Sequence, residues 1–379
     1  MRRDAARHRR AQPSRVEDQV IFTYMPHPNP TAPDLRASLL ENPGFGRVFT
    51  DHMVTARWSA DSGWHQTHVA ARKPFSIDPA AAVLHYAQEI FEGLKAYRTQ
   101  AGEIVLFRPE ENAKRFARSA ARLAMPIVPE DIFLGALEAL IKVDAEWVAG
   151  GEGSLYLRPF MFASEAFLGV RPASDYIFCV IASPVGAYFK GGAKAITVWV
   201  SEDYSRAAPG GTGAAKCGGN YAASLLAQAE AIEHGCNQVV FLDAAEHRWV
   251  EELGGMNVFF AFDDGTLTTP PLSGTILSGI TRDSVLTLAR DAGLQVREQP
   301  YAFEDWRADA QSGRLREVFA CGTAAVVAGI GEVRQTGGGF TIGDGSDGPV
   351  TRQLRDQLVG IQRGARPDPY GWLHRIEGV

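Results

Sequence analysis

The sequence contains few cysteines, and no two of them form a CxxC pair. Among 379 residues there are four, Cys179, Cys217, Cys236 and Cys321, and they lie far apart. A disulfide framework needs cysteines that pair with one another, and a zinc cluster needs closely spaced cysteine ligands. The spacing of these four excludes both. We therefore expect no metal site, cysteines that act mostly as small buried side chains, and a reducing cytoplasm as the localisation.

The sequence also lacks a surplus of positive charge and a long apolar run. It has 38 lysines and arginines against 44 aspartates and glutamates, a net charge of −6 with both signs dispersed. Such a chain has no basic face for nucleic acid, and no stretch reaches the length of a transmembrane helix. These absences predict a function in a pocket for small molecules, without nucleic acid or a membrane as partner.

Arginines are concentrated only between Met1 and Arg15. No apolar segment follows them, so the pattern is not that of a secretory signal. Residues 1–18 are predicted to be a disordered basic tail, and a functional basic arm is the less favoured alternative.

The length and an apolar fraction of 45% suffice for about two domains, each with its own core. A polar segment with two glycines at 190–194 follows Ser183-Pro184 and suits a linker. We therefore predict a small N-terminal domain over residues 19–189, an interdomain loop over 190–196 and a larger domain over 197–379.

Hydrophobic periodicity predicts a mixed α and β protein. In the first half, residues 109–125 and 129–148 have helical spacing of apolar side chains, and residues 154–158 and 176–181 are typical of strands. The second half alternates strands and helices. Its predicted elements are strands at 195–201, 238–242, 258–262 and from 318 onward, helices at 221–234 and 280–292, and a hairpin loop at 337–339.

Lys216 is surrounded by glycine and alanine. The sequence from 210 to 221 reads GGTGAAKCGGNY. Small neighbours let a flat group approach the ammonium closely, and glycine lets the backbone bend around it. One interpretation is a Schiff-base lysine that holds a carbonyl cofactor. A mobile glycine-rich loop with a solvated lysine explains this run equally well.

A carbonyl cofactor of the pyridoxal phosphate type also needs an anion site, an acid for the ring nitrogen and a donor for the ring oxygen. The sequence LSGTILSGITRD at 272–283 opens onto a helix near Thr281, which suits a phosphate, although an ordinary capped helix explains it too. Arg108 follows an apolar strand and could pair with the same phosphate or remain solvated. Glu251 and Glu252 precede an aromatic strand, and a buried carboxylate usually has a specific partner. These residues alone do not identify the cofactor.

Several sequence blocks, taken in order, resemble the branched-chain amino acid aminotransferases, which are pyridoxal phosphate enzymes of fold type IV. The similarity extends from Phe45 to Trp372. The blocks are FTDHM at 49–53, LHY at 84–86, FEGLKAY at 91–97, YLRP at 156–159, VGAYF at 185–189, the Lys216 run, ELGGMN at 252–257 and GTA at 322–324. The resemblance implies an α+β fold of two domains, with a small α/β N-terminal domain and a larger β-rich C-terminal domain.

The resemblance also implies which residues bind pyridoxal 5'-phosphate. Lys216 corresponds to the lysine that forms the Schiff base and then moves the α-proton of the substrate. Tyr221 is expected to donate to the ring oxygen, and Glu252 is expected to pair with the ring nitrogen. The phosphate is expected to contact an arginine, two residues at a helix start and a neighbouring threonine: Arg108, Ile280, Thr281 and Thr323.

On the substrate side, the resemblance implies a pocket that accepts Leu, Ile and Val side chains and, in the other half-reaction, glutamate. Arg158 is expected to receive the distal carboxylate of glutamate. The aromatic wall is expected from Tyr86, Phe91, Tyr156 and Tyr188, and further substrate contacts from Gly255, Thr323 and Ala324. The family is dimeric, and Leu168 and Val170 match its contacts across the subunits, so a homodimer is expected.

Two positions depart from some members of this family. Those members have a CxxC pair after the Gly-Thr-Ala turn, where this chain has AVVA at 325–328, so a thiol switch at this turn is excluded. They also have threonine at the position of Gly255. Without that hydroxyl, only a backbone N–H is left there to contact the phosphate and the substrate carboxylate.

The predicted activity is reversible amino transfer between L-leucine, L-isoleucine or L-valine and 2-oxoglutarate. A D-amino acid transaminase and an aminodeoxychorismate lyase are the alternatives on the same fold, and the set of aromatic residues with Arg158 argues against both. A binding protein that has lost its chemistry is the third alternative. The presence of Lys216, Tyr221 and Glu252 argues against it.

Overall fold

The computed structural model describes residues 22–186 and 195–379. The predicted basic tail, Tyr188 and most of the predicted interdomain loop lie outside these residues. Within them, the chain forms eight α-helices and eighteen strands in two sheets. In the same part of the chain, no helix is long and apolar enough to cross a membrane.

The first sheet contains nine strands from both ends of the chain. They are β1 (Thr23–Tyr24), β2 (His52–Ser59), β3 (Gly63–Ala71), β4 (Glu89–Phe91), β5 (Leu94–Arg98), β6 (Ile104–Phe107), β7 (Ser154–Ala163), β8 (Asp175–Val185) and β18 (Leu373–Arg375). The strand order is β1-β3-β2-β8-β7-β5-β6-β18, and β4 pairs with β7. Because β18 pairs with β6, the C-terminal residues return to the first sheet.

The second sheet also contains nine strands. They are β9 (Ile196–Ser201), β10 (Gln238–Leu242), β11 (Val250–Leu253), β12 (Asn257–Phe262), β13 (Thr266–Thr269), β14 (Gln295–Glu298), β15 (Leu315–Gly322), β16 (Val326–Gln335) and β17 (Gly338–Thr341). The order is β11-β10-β9-β16-β15-β12-β13-β14, and β17 pairs with β16. The central strands are buried on both faces, as expected for runs rich in Val and Phe.

The helices cover these sheets. They are α1 (Pro33–Glu41), α2 (Ala82–Tyr86), α3 (Pro109–Arg122), α4 (Glu130–Val143), α5 (Gly218–Glu233), α6 (Ile280–Asp291), α7 (Phe303–Ser312) and α8 (Pro349–Gln362). In α3, Pro109 occupies the first turn and Arg122 the last, which are the preferred ends for proline and for a basic residue. Its apolar stripe presents Phe116, which packs against Phe133 of α4 and Phe178 of β8.

The predicted helices in the first half are present but shorter than expected. The helix predicted to Met125 ends at Arg122, because Ala124 adopts a left-handed backbone with φ of 53°. The helix predicted to continue to residue 148 ends at Val143 and gives way to a 3-10 turn, Ala145–Trp147. Helix ends depend on local capping, so periodicity alone does not fix them.

In the second half, β10 coincides with the predicted strand at 238–242. The helix predicted from Tyr221 begins earlier, at Gly218, which brings Tyr221 into its first turn. The predicted hairpin loop is shorter than expected, because Gly338 and Gly339 belong to β17 and only Gly337 lies in the turn.

The Lys216 run lies where the two sheets meet. Ala215 and Cys217 on either side of the lysine belong to the core of the first sheet. Helix α5, which follows, packs through Ala227 and Ala231 on the second sheet. The lysine is therefore held between the two halves of the molecule. The domain limits given above remain a prediction.

Candidate active site

Lys216 is fixed through its main chain on both sides. Its N–H donates to Ser119 Oγ of α3 at 2.9 Å, and its carbonyl oxygen accepts from the N–H of Phe91 at 3.0 Å. Its Nζ atom donates to Tyr221 Oη at 2.8 Å and lies 4.8 Å from the centre of the Phe91 ring. Among the described residues, the half-buried ammonium group therefore has one hydrogen-bonding partner and an aromatic neighbour.

Asn220 holds the glycine-rich run in a defined shape. Its side-chain amide donates to the carbonyl oxygens of Thr212 and Ala215, each at 2.9 Å, and its Oδ1 accepts from Thr212 Oγ1 at 2.7 Å. The run is thus tied back onto the start of α5. Of the two interpretations of this run, the structure supports the one in which the lysine is positioned.

An arginine and two aromatic side chains surround the same lysine. The Phe91 ring lies 4.9 Å from the Tyr221 ring, centre to centre. The Arg158 guanidinium lies 4.8 Å from the centre of Phe91 and donates from Nη2 to Tyr156 Oη at 3.1 Å. The Nε atom of Arg158 is buried and has no partner within the described part of the chain. The structure thus brings together five of the predicted site residues: Lys216, Tyr221, Phe91, Tyr156 and Arg158.

Glu252 on β11 is buried and fully partnered. Its Oε1 atom pairs with Arg206 Nη1 at 2.8 Å and accepts from the N–H of Leu277 at 2.9 Å, and its Oε2 accepts from Asn257 Nδ2 at 3.3 Å. Burial raises the pKa of Glu252 to about 7, while the charge of Arg206 lowers it. The arginine therefore favours the ionised carboxylate against the effect of desolvation.

Glu251, the neighbouring residue, has an incomplete set of partners. Thr275 Oγ1 donates to its Oε1 atom. Its Oε2 atom is buried and has no hydrogen-bond partner among residues 22–186 and 195–379. Burial also raises the pKa of Glu251. Of the two glutamates considered from the sequence, Glu252 is the one with an arginine partner.

Arg108 lies against the start of α6, where the sequence predicts an anion site. Arg108 has a left-handed backbone, with φ of 51°, and its guanidinium donates to Ser284 Oγ at 2.8 Å and pairs with Asp283 Oδ2 at 2.7 Å. Both partners belong to α6, where Ile280 and Thr281 occupy the first turn. The N–H groups of a first helical turn have no partner within the helix, so this end suits a bound phosphate.

The predicted Gly-Thr-Ala turn contacts the first sheet. Thr323 Oγ1 donates to the carbonyl oxygen of Gly93 at 3.2 Å, and the buried Lys95 donates to the carbonyl oxygen of Ala324 at 2.8 Å. Burial lowers the pKa of Lys95 to about 8, so less positive charge is held there than at an exposed lysine. A side chain at Gly93 would collide with the hydroxyl of Tyr156, so the turn lies close to the predicted substrate residues.

Four predicted substrate or subunit-contact residues lie at the surface. Tyr86 is partly exposed, and its hydroxyl donates to the carbonyl oxygen of Leu168. Leu168 and Val170 expose 67% and 89% of their surface, which is unusual for apolar side chains. Gly255 is exposed, and a side chain there would lie 3.9 Å from the Tyr221 ring.

Sequence reasoning missed the ion pairs that support these residues. Arg206 pairs with Glu252 and also donates to the carbonyl oxygens of Gly213 and Thr275, at 3.3 and 2.9 Å. It thus connects the Lys216 run, the buried acid and the segment before α6. Arg206 follows a polar stretch, SEDYS at 201–205, and no pattern there indicates burial.

A second buried pair, Arg115 with Glu92, was also missed. Arg115 Nε lies 2.7 Å from Glu92 Oε1, and Arg115 Nη1 donates to the carbonyl oxygen of Ser278 at 3.1 Å. Burial opposes ionisation, but Arg115 holds the pKa of Glu92 below its usual range. A signal was present here, because Arg115 interrupts the apolar face of α3 beside Phe116.

The chain is similar to known aminotransferases over most of its length. Residues 89–333 match the family described as amino-transferase class IV. The branched-chain-amino-acid aminotransferase of Mycolicibacterium smegmatis is 56% identical over 360 residues, which cover 94% of this chain and 98% of that protein. The protein of the same name from Mycobacterium tuberculosis strain H37Rv is 55% identical over 360 residues, with the same shares.

Solved structures give the same result for the fold. The branched-chain amino acid aminotransferase from Escherichia coli superposes with a TM-score of 0.70 at 30% identity, covering 86% of this chain and 99% of that one. The T.th. branched-chain amino acid aminotransferase with pyridoxamine 5'-phosphate also has a TM-score of 0.70 at 30% identity, covering 85% of this chain and 98% of that one.

Proposed function

The chain belongs to the branched-chain amino acid aminotransferases of aminotransferase class IV, and on this premise we propose that it transfers amino groups between L-leucine, L-isoleucine or L-valine and 2-oxoglutarate with pyridoxal 5'-phosphate. The observation that carries the proposal is the hydrogen bond between Lys216 Nζ and Tyr221 Oη beside Phe91. It provides a positioned amine, a phenol and an aromatic wall in one place.

The residues present fit this cofactor. Its phosphate would lie at the start of α6, where Arg108 is anchored by Ser284 and Asp283. Lys216 would hold it covalently, and Glu252 would face its ring nitrogen. When bound, pyridoxal phosphate supplies a carbonyl that accepts the amino group and a ring that accepts the electrons of the substrate Cα–H bond.

Lys216 and Tyr221 act together in the transfer of the substrate α-proton. When Nζ is neutral, its lone pair can take a proton from the substrate Cα. The ammonium group formed in this way can donate the proton again in the next step. Tyr221 Oη, at 2.8 Å from Nζ, holds the amine in position during both transfers. Because the main chain of Lys216 is fixed by Ser119 and Phe91, only its side chain has to move.

Arg206 supports the acid function of Glu252. Ionised Glu252 stabilises a protonated ring nitrogen, and a carboxylate that has lost its charge cannot do so. Burial raises the pKa of Glu252 to about 7, and the Arg206 charge opposes this effect. The ion pair at 2.8 Å therefore favours the charge state that the reaction needs.

One pocket can accept both an apolar and an acidic side chain. Phe91 and Tyr156 provide aromatic surface for Leu, Ile and Val side chains. The Arg158 guanidinium lies 4.8 Å from the centre of the Phe91 ring, and its buried Nε atom lacks a partner within the described residues. This donor would receive the distal carboxylate of glutamate in the second half-reaction.

We further propose a homodimer that works in the cytoplasm. Leu168 and Val170 are large, exposed apolar residues close to Tyr86, and a partner subunit that covers them would remove this surface from water. Sedimentation of the purified protein tests the dimer, and a monomer at working concentration would contradict it.

An activity assay tests the proposed reaction. Purified protein with isoleucine and 2-oxoglutarate should form glutamate, and Lys216→Ala should lose this activity and the visible absorbance of the lysine-bound cofactor. Lys142→Ala, at an exposed lysine of α4, is the matched control and should keep both. Turnover of D-alanine without turnover of isoleucine would contradict the proposal.

A further inference from the structure

A cavity lies beside β11, next to Glu251. It has a volume of about 220 Å³ and is lined largely by apolar side chains, among them Trp249, Val250 and Ile276 together with prolines. Pro209 and Pro300, which also line it, are exposed, so the cavity is open to solvent. None of these residues belongs to the proposed transaminase site.

Glu251 supplies a buried acid in the wall of this cavity. The residue is 7% exposed, and its Oε1 accepts from Thr275 Oγ1, while its Oε2 has no hydrogen-bond partner among the described residues. A buried carboxylate oxygen without a donor is costly. A donor bound in the cavity would remove this cost.

The charges around the cavity favour a cation. Asp243 also lines it, and although burial opposes ionisation, four backbone N–H groups hold its pKa below the usual range. Within the described residues, no lysine, arginine or histidine lines the cavity. The Trp249 ring adds an aromatic surface, which attracts ammonium groups.

The volume limits the ligand to a small molecule. A cavity of about 150 Å³ holds one benzene molecule, so about 220 Å³ suits a short branched or cyclic hydrocarbon with one polar group. We propose that this cavity binds a small organic ammonium ion, with its N–H donating to Glu251 and its apolar part against Trp249 and Ile276. This site is separate from the proposed transaminase reaction.

The cavity borders the segment that supports the buried acid of the active site. Thr275 donates to Glu251 through Oγ1 and accepts from Arg206 through its carbonyl oxygen at 2.9 Å. Arg206 in turn pairs with Glu252 at 2.8 Å. A ligand that contacts Glu251 is therefore connected to Glu252 through the hydrogen bonds of one threonine and one arginine.

Calorimetric titration of the cofactor-loaded protein with N,N-dimethylisobutylamine tests the proposal. This tertiary amine is protonated at neutral pH and cannot form an imine with a carbonyl cofactor. We expect saturable binding that Glu251→Gln weakens by at least about tenfold, because a hydrogen bond to a charged group is lost. Glu246→Gln, which removes an exposed charge from the same β10–β11 connection, is the matched control and should leave the affinity unchanged.

Two measurements on the unmodified protein keep the test independent of how the variants fold. The neutral 4-methyl-2-pentanone has a similar shape and should bind more weakly than the amine. Saturation of the substrate pocket with 4-methylvalerate should not displace the amine. Equal binding of the ketone, displacement by 4-methylvalerate, unchanged binding to Glu251→Gln, or no saturable binding would each overturn the proposal, and none of these results depends on transaminase activity.

Discussion

Glu251 and Glu252 are adjacent on β11, are both buried, and differ in what surrounds them. The pairing of β11 with β10 is irregular between Val250 and Leu253, so the two side chains do not follow the regular alternation of a strand, but their carboxylates enter different environments. Glu252 meets Arg206, Asn257 and the N–H of Leu277 beside the Lys216 site. Glu251 meets one threonine hydroxyl and an apolar cavity.

The difference teaches that burial alone does not define the role of an acid. Burial raises the pKa of both glutamates. At Glu252 the protein supplies a cation and two further donors, which hold the group in one position. At Glu251 one oxygen is left without a donor within the described residues, and a ligand can supply this missing donor.

The largest expected effect comes from removal of the cation on the Glu252 side. Arg206→Met leaves a buried carboxylate without its charge partner and should cost about 3–5 kcal/mol in the free energy of unfolding, measured with urea. The loss should shrink at about pH 5, where Glu252 becomes protonated. Arg248→Met, which breaks the exposed pair with Glu304, should cost about 0–1 kcal/mol. Equal losses in the two variants would contradict the assigned role of Arg206.

Charge removal at each glutamate separates their functions. Glu252→Gln should lower kcat for glutamate formation from isoleucine and 2-oxoglutarate by about 10²–10³-fold, equivalent to about 3–4 kcal/mol. For Glu251→Gln we expect a loss below about tenfold, because Glu251 contacts Thr275 and lines the separate cavity. A larger loss in the second variant would reverse the assignment of the two acids.

The pH dependence of the free energy of unfolding tests whether burial raises the pKa of Glu252. Its folded pKa of about 7 lies above the ordinary value of 4.5, so the folded apoprotein binds more protons between these values. The stabilisation of the folded protein by this extra proton is complete below the ordinary pKa of 4.5 and is lost as the pH rises through about 7. The free energy of unfolding should fall between about pH 5 and about pH 8 by on the order of 2–3 kcal/mol more than in Glu252→Gln. Parallel curves for the two proteins would show that burial does not shift this group.

The smallest effect is expected at Thr275, which links Glu251 to Arg206. Thr275→Val removes the hydroxyl that donates to Glu251 but keeps the carbonyl oxygen that accepts from Arg206. It should lower the free energy of unfolding by about 1–2 kcal/mol. Thr275→Ser retains the hydroxyl and should recover most of this loss. No recovery would show that packing of the methyl group, and not the hydrogen bond, is responsible.

Local sequence predicted those site residues that are close together in the chain. Lys216 and Tyr221 meet because the lysine lies just before α5 and the tyrosine in its first turn, and Ile280 and Thr281 begin α6 as expected from the small-residue run before them. The family and its fold, inferred from blocks distributed along the chain, are confirmed by the class IV match and the solved structures. The roles of individual site residues and the domain limits remain predictions.

Contacts between distant segments were not predictable in this way. Arg115 and Glu92 lie on a helix and beside a strand, and their sequence gives no register between the two. Arg206 reaches Glu252 only because the loop after β9 crosses the end of β11. The cavity beside Glu251 has no sequence signature, because it is formed where side chains from separate loops fail to fill the space between them.

The sequence by itself determined the family, through blocks distributed along the chain, and it predicted part of the helices and strands and the positions of the lysine, the tyrosine and the helix start. The predicted helices and strands depend on short-range periodicity, which a single chain displays directly. Only the tertiary structure decided which of two adjacent glutamates receives a buried arginine and which one lines an apolar cavity. The physical reason is that both glutamates have the same local sequence, whereas their pKa and their partners depend on the side chains that packing brings to each carboxylate.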